Sequence, residues 1–323
     1  MDILYLLGFA GDVVVQVCIL FLLILVGFAL FKAKCINQKG MKQLIDILFY
    51  AVTPCVVINA FESVKFSLQS ALELGIAVIF TAVSIGIGYI FCLIFFRKVE
   101  GKRRSVLWYA TIYSNCAFFS IPLTQAVLGE KGVFLVSIYV AIFMVFIWTA
   151  GLKLFTTEQK VSIKKAIINP GTIGIVIGLP LFLISAKLPD FRLPEILSTP
   201  IEMLANLNTP LAMIVTGGYL AMSSLKPQKG DGQMWLSIIL RMFIIPAASF
   251  GLFFLIFKLT GIADTSQEAL VALMIPAAAP AAANTIMFAG KYDGDTDLAT
   301  RSVLMGTLVS VVSMPLILVL AML

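Results

Sequence analysis

Two short segments gather most of the side chains that could do chemistry in an otherwise apolar chain. In one, Ser114, Asn115, Ser120 and Gln125 surround Pro122; in the other, Asn284 and Thr285 follow Pro280 across three alanines. Proline removes a backbone donor and its ring clashes with the preceding turn, so a helix that carries one bends or breaks there. A broken helix exposes bare N–H groups, and a helix N-terminus is a ready anion site. With asparagine amides beside such termini, the two segments could form a carboxylate-sized pocket that needs no buried formal positive charge. Other chemistry has little to work with. The chain has no histidine, which removes His metal ligands and His general bases together. Cys18, Cys35, Cys55, Cys92 and Cys116 are scattered through the chain in neither a disulfide framework nor a CxxC metal pattern. Asp293, Asp295 and Asp297 lack the full EF-hand spacing and its final glutamate, and read as a loop cap or gate contact. No phosphate-binding loop is present. The expectation is a protein that is not an enzyme and uses no cofactor and no metal.

The elements that must position these segments are membrane spans. The chain is 60% apolar and 12% charged, against roughly 25% charged in a soluble domain. A hydrocarbon core roughly 30 Å thick takes about 20 apolar residues per helix. Ten stretches qualify: 12–31, 42–61, 70–96, 106–128, 132–154, 171–188, 197–223, 233–258, 268–290 and 299–322. Residues 3–10 are expected to lie along the interface ahead of the first span. No basic n-region or cleavage signal precedes it, so a cleaved signal peptide is not expected. Lys and Arg concentrate in the odd-to-even loops, Lys32, Lys34, Lys39, Arg97, Lys98, Arg103, Lys160 and Lys164 among them. Lys65, Lys131, Lys187, Arg192 and Lys258 fall on the other side. The positive-inside rule then places those basic loops in the cytoplasm and both termini outside, in a multi-pass protein of the cell (inner or plasma) membrane. The net charge of +6 faces lipid headgroups rather than nucleic acid.

The two halves echo each other. AVTPCVVINAF around Pro54 recurs as NLNTPLAMIVTGG around Pro210, and the Pro122 segment is answered by IPAAAPAAANTIMFAG, which holds Pro276 and Pro280. Five spans per copy is odd, so the copies must be inverted: residues 1–156, a cytoplasmic linker 157–170, and residues 171–323. In lipid the carbonyls freed at a break cost several kcal/mol each, so broken backbone belongs inside protein or beside a wet cavity. Inverted repeats interrupted at corresponding positions are the signature of many secondary transporters. The expected fold is an all-α integral membrane protein of ten transmembrane helices, as two inverted five-helix repeats with broken, crossing helices 4 and 9.

Charged and amide residues inside the spans are the remaining candidates. Arg241 stands about eight residues into the eighth span, roughly 12 Å along the helix. It reads as a substrate or gating charge, or as a side chain snorkelling to the interface. Asp46 and Glu73 lie near the ends of spans two and three, where interface placement or a coupling proton would explain them. Asn59 and Asn208 flank Pro54 and Pro210 and are expected to bond across a pseudo-symmetric interface. Gly174 and Gly178 fit close helix packing.

The segments SNCAFFSIPLTQAVLGEKG (114–132) and IPAAAPAAANTIMFAGKYDGDTDLATRSVLMGTLVSVVSMPL (275–316), with TPCVVINAF and NTPLAMIVTGGYLA, resemble the auxin efflux carrier family in its short prokaryotic branch. The resemblance extends over essentially the whole chain. It implies a scaffold of helices 1, 2, 6 and 7 and a transport domain of helices 3–5 and 8–10 that moves like an elevator. It also implies that Pro122 and Pro280 lie beside the substrate and that Asn115 and Asn284 hold its carboxylate. Plant relatives export indole-3-acetate and form homodimers; several bacterial relatives carry malate, malonate or other organic acids. The plant carriers' long cytoplasmic loop is absent, loop 5–6 being only about 16 residues. Ser120 stands where many bacterial members have glycine. The expected function is secondary transport of a small organic anion: a mono- or dicarboxylate such as malate or malonate, or an auxin-like acid. The expected partners are that substrate, membrane lipids, a second copy of the chain, and a coupling proton or sodium ion. The alternatives are a sodium-coupled organic-anion symporter of the bile-acid type and a membrane receptor without turnover.

Overall fold

Caps and prolines set where the helices of this chain begin and bend. The computed structural model describes residues 3–63, 65–155, 170–188, 191–222, 231–260 and 267–322, and among them every regular element is helical. In the first half these are α1 (Ile3–Lys32), α2 (Gln38–Ile47), α3 (Thr53–Ser63), α4 (Leu68–Phe95), α5 (Gly101–Ile112) and α6 (Ile121–Phe146). The second half holds α7 (Pro170–Ile184), α8 (Glu195–Asn206), α9 (Asn208–Met222), α10 (Asp231–Ile239), α11 (Ile245–Thr260), α12 (Gln267–Ala278), α13 (Asn284–Lys291) and α14 (Thr296–Met322). The Asn37 side chain accepts from the Gly40 N–H to start α2, and Ser67 and Ser70 form a reciprocal capping box at the start of α4, each satisfying N–H groups that a helix start leaves bare.

Wide π turns cover Leu48–Val52, Cys116–Ser120, Ile147–Gly151 and Leu240–Ile244. Three of them end two residues before a proline: Pro54, Pro122 and Pro246. A proline cannot bond the carbonyl four residues back and collides with it, so the chain slips to the wider i+5 register just ahead of the ring. At the first of these, the Thr53 hydroxyl donates to the Leu48 carbonyl at 2.8 Å. Gly129 (φ 64, ψ −158) breaks α6 in a left-handed conformation that favours glycine, between the stretches 106–128 and 132–154.

Among the described residues, four helical segments are long and apolar enough to cross a bilayer: Gln38–Asn59, Leu68–Phe95, Asp231–Ile256 and Thr296–Leu320. Leu22, Ile79, Ile94, Val176, Ile196 and Val312 face outward from the protein, while Ser, Thr, Asn and Arg side chains are buried within it. This polarity suits a lipid solvent. Residues 3–10, expected as a separate interfacial segment, instead continue α1 without interruption. The expected linker 157–170 lies outside the described residues except for Pro170.

Packing pairs the halves. α1 runs along α9 and α3 along α7. Gly27 faces the Ile214 backbone and Gly217 the Ile24 backbone, so the α1–α9 contact is made at two glycines. Gly174 meets Val57 and Gly178 meets Phe61 across α7–α3, the close packing expected of them. α4 packs on α6 and α11, and α12 packs on α6 and α14.

Candidate functional site

The first interrupted helix stops at Ile112, because Tyr113 turns extended (φ −102, ψ 118). The second, α12, stops at Ala278. Each break leaves backbone groups bare in the interior of the protein, and the two breaks satisfy one another. The Asn115 N–H donates to the Pro280 carbonyl at 2.7 Å, and the Ala282 N–H donates to the Tyr113 carbonyl at 2.9 Å. Ser114 and Ala281 thus form an antiparallel bridge. Buried backbone donors and acceptors must be paired, and Pro280 contributes an acceptor without bringing an N–H that needs one. Beyond the breaks the helices restart at the π turn Cys116–Ser120 and at Asn284, with no acidic residue in the first turn of either. Their N-termini therefore keep the positive end of the helix dipole.

Around this bridge the side chains are polar, buried and incompletely bonded. Ser114, Asn115, Ser120, Thr124 and Asn284 are all at most 5% exposed. Ser114 Oγ, Ser120 Oγ, Thr124 Oγ1 and Asn284 Oδ1 have no hydrogen-bond partner within the protein. An orphaned buried polar atom costs about 1–3 kcal/mol, so each of the four is an atom that a polar ligand could satisfy. Thr285 is different: its hydroxyl donates to the Ala282 carbonyl at 2.6 Å and is committed to the start of α13.

Arg241 reaches the same junction from the π turn Leu240–Ile244 and is 2% exposed. Its guanidinium donates to the Ile112 carbonyl at 2.8 Å, to the Thr111 carbonyl at 3.5 Å, and to the Ala277 carbonyl. These are the last carbonyls of α5 and the end of α12. The side chain is buried against those carbonyls and does not extend to the protein surface. Its Nε has no partner. Ser237, Ala281, Ser302 and Gly306 pack beside it, and Ser302 Oγ is also orphaned.

The other expected residues are spread more widely. Pro122 stands in the first turn of α6, while Pro276 is buried in α12 a turn before the break. Gln125 is exposed. Glu73 is 2% exposed, accepts from Gln69 Nε2 at 3.0 Å and forms an ion pair with Lys131 Nζ at 3.7 Å, where α6 packs on α4. Asp46 is exposed on α2. On α3 and α9, Pro54 and Asn208 are buried, and Asn59 and Pro210 half-buried; α9 also touches the π turn of the first break. Asp293 pairs with Lys102 at 2.5 Å, Asp295 caps the Leu298 N–H at 2.9 Å, and Asp297 binds Arg301 at 3.0 Å. Arg301 also bonds Asp231. Thr124 and Ser302 escaped the sequence reading. For Ser302 the available signal was the run of hydroxyls Ser302, Thr307, Ser310 and Ser313 along an apolar span.

Such a molecule is an all-helical, multi-pass membrane protein with a polar junction of two interrupted helices at its centre. The chain matches the family described as Membrane transport protein over residues 12–163 and 157–318. It belongs to that family, in keeping with its resemblance to the auxin efflux carriers, and is a membrane transporter. A comparison with curated proteins returns no match.

Proposed function

We propose that this chain is a secondary transporter of a small organic anion, a mono- or dicarboxylate, working by elevator-type alternating access around the junction of its fourth and ninth spans. The observation that carries the reading is the mutual pairing of the two breaks through Asn115, Pro280, Tyr113 and Ala282, beside the unpartnered atoms of Ser114, Ser120, Thr124 and Asn284. Two helix N-termini and an asparagine amide can hold a carboxylate; the orphaned hydroxyls can donate to it. Ten spans in two inverted repeats accord with the packing, since α1 against α9 and α3 against α7 are exchanged by a relation that swaps spans one and six and spans two and seven. Those four spans are the proposed scaffold, and spans 3–5 and 8–10 the moving part.

The test is uptake of labelled malate, malonate and indole-3-acetate into proteoliposomes, with and without proton and sodium gradients. A charge-assisted hydrogen bond contributes about 1.5–3 kcal/mol, so Asn115→Ala and Asn284→Ala should each weaken saturable uptake roughly tenfold to a hundredfold. Unchanged uptake in both variants would remove the site from this junction.

A further inference from the structure

We propose that Arg241 is the positioning residue that sets the sign of the field at the junction, by neutralising the negative ends of both interrupted helices. The inference rests on the anion-carrier reading and explains how such a site selects an anion although its nearby guanidinium is bonded to helix carbonyls.

Four helix ends meet at the junction. α5 and α12 arrive with their C-termini, and the segments beginning at Cys116 and Asn284 leave with their N-termini. A helix end carries roughly half an elementary charge, negative at the C-terminus and positive at the N-terminus. Left alone, the four ends sum to about zero, and an anion held at the N-termini would be repelled by the C-termini nearby. Arg241 lies on those C-termini, bonding the Ile112 carbonyl of α5 and the Ala277 carbonyl of α12. One full positive charge spread over two half-negative ends cancels them. The two N-terminal ends remain uncompensated, without acidic residues in their first turns. The net result is about one positive unit shared by the two N-termini, one of them a turn before the unpartnered Ser120 hydroxyl.

The charge is not consumed elsewhere. Among the described residues no carboxylate lies within ion-pair distance of Arg241. A buried guanidinium without a carboxylate is expensive in lipid unless another negative partner is built in, and here that partner is the pair of helix ends. The π turn ahead of Pro246 places Arg241 within reach of both ends.

The experiment compares charge preference, which a merely structural clamp would not alter. Proteoliposomes carrying the full chain are tested with labelled malonate and indole-3-acetate and with their uncharged amides, malonamide and indole-3-acetamide. The wild type should take up the acids in preference to the amides, and Arg241→Lys should retain most of that preference. Arg241→Gln should lower the acid-to-amide ratio roughly tenfold, a helix-end effect near the upper part of its range. A second variant keeps Arg241 itself: Ser302→Asp sets a negative charge against the guanidinium, whose Nε is free, and should lower the same ratio, whereas the equal-sized, neutral Ser302→Asn should not. This arm decides the matter even if Arg241→Gln does not fold. Equal loss of acid and amide uptake, or an unchanged ratio in Ser302→Asp, overturns the inference. If the wild type shows no preference for either acid and Asn284→Ala behaves like it, the anion-carrier reading falls and takes this inference with it. If the acids are preferred, Asn284→Ala weakens them and Ser302→Asp changes nothing, the inference alone fails.

Discussion

Ser120 and Thr285 are both hydroxyl residues at 0% exposure beside a helix break, yet only one of them is left open. Thr285 bonds the Ala282 carbonyl, while Ser120 Oγ bonds nothing. Replacing Ser120 by alanine should therefore remove an unsatisfied group and raise the stability of the purified protein by about 1 kcal/mol. The same change should weaken substrate binding if that hydroxyl serves the substrate. Thermal unfolding and uptake measured on one preparation check both halves; a gain in stability with unaltered uptake would exclude Ser120 from the site. The sequence places polar types near the breaks but cannot tell a committed hydroxyl from a free one, because the difference lies in the backbone angles of the break. Arg241 shows the same limit more strongly. Its depth along a span is readable, but its acceptors are backbone carbonyls of two other helices, and no side-chain pattern announces those. Glu73 was readable as a charge near a span end, and not as a buried one, because its burial depends on how α6 packs over α4.

At the scale of the helices, the prolines were legible and their consequence was sharper than a kink. Pro54, Pro122 and Pro246 each follow a π turn, and α5 ends at Ile112, well before Pro122. The break is placed by pairing with the second interrupted helix, a long-range partner that local pattern does not reveal. Close approach of α1 and α9 offers a direct test. A Cβ added at Gly217 would lie 1.9 Å from the Ile24 carbonyl oxygen, and one at Gly27 would lie 2.1 Å from that of Ile214. Both obstacles are backbone, so the helices must move apart. Gly217→Ala should destabilise by about 1–3 kcal/mol or more. Gly251→Ala, with nothing within 4 Å, should be neutral or stabilising by up to about 1 kcal/mol through helix propensity. Unfolding in detergent separates the two, and equal behaviour would contradict the packing. The ion pairs divide in the same way. The Arg301 side chain is 3% exposed and bonds Asp231 and Asp297, whereas Lys102 and Asp293 are 58% and 89% exposed. Arg301→Gln should cost about 1.5–3 kcal/mol by removing charge-assisted hydrogen bonds to Asp231 and Asp297, and Lys102→Ala less than about 1 kcal/mol.

For the whole molecule, the elevator reading requires some contacts to break during the transport cycle and others to persist. The proposed internal duplication was read from Pro54 and Pro122 and their counterparts Pro210 and Pro280, but which helices embrace one another is not legible in sequence. A cluster of three rings crosses the proposed boundary. Phe61 on α3 and Phe182 on α7 belong to the proposed scaffold, and Phe134 on α6 to the moving part. Ring centroids are 5.9 Å apart for Phe61 and Phe134 and 6.1 Å apart for Phe61 and Phe182. The two pairs are nearly equal in separation and differ only in whether they cross the boundary, so each serves as the other's control. In a background lacking the exposed Cys18 and Cys35, Phe61→Cys with Phe134→Cys should be bridged by mercuric ion. That bridge should arrest transport until a thiol removes it. Phe61→Cys with Phe182→Cys should bridge equally well and continue to transport, because both ends stay on the scaffold throughout the cycle. Full transport by the bridged Phe61–Phe134 pair would mean that α3 and α6 move together, and the division into scaffold and moving part would have to be redrawn.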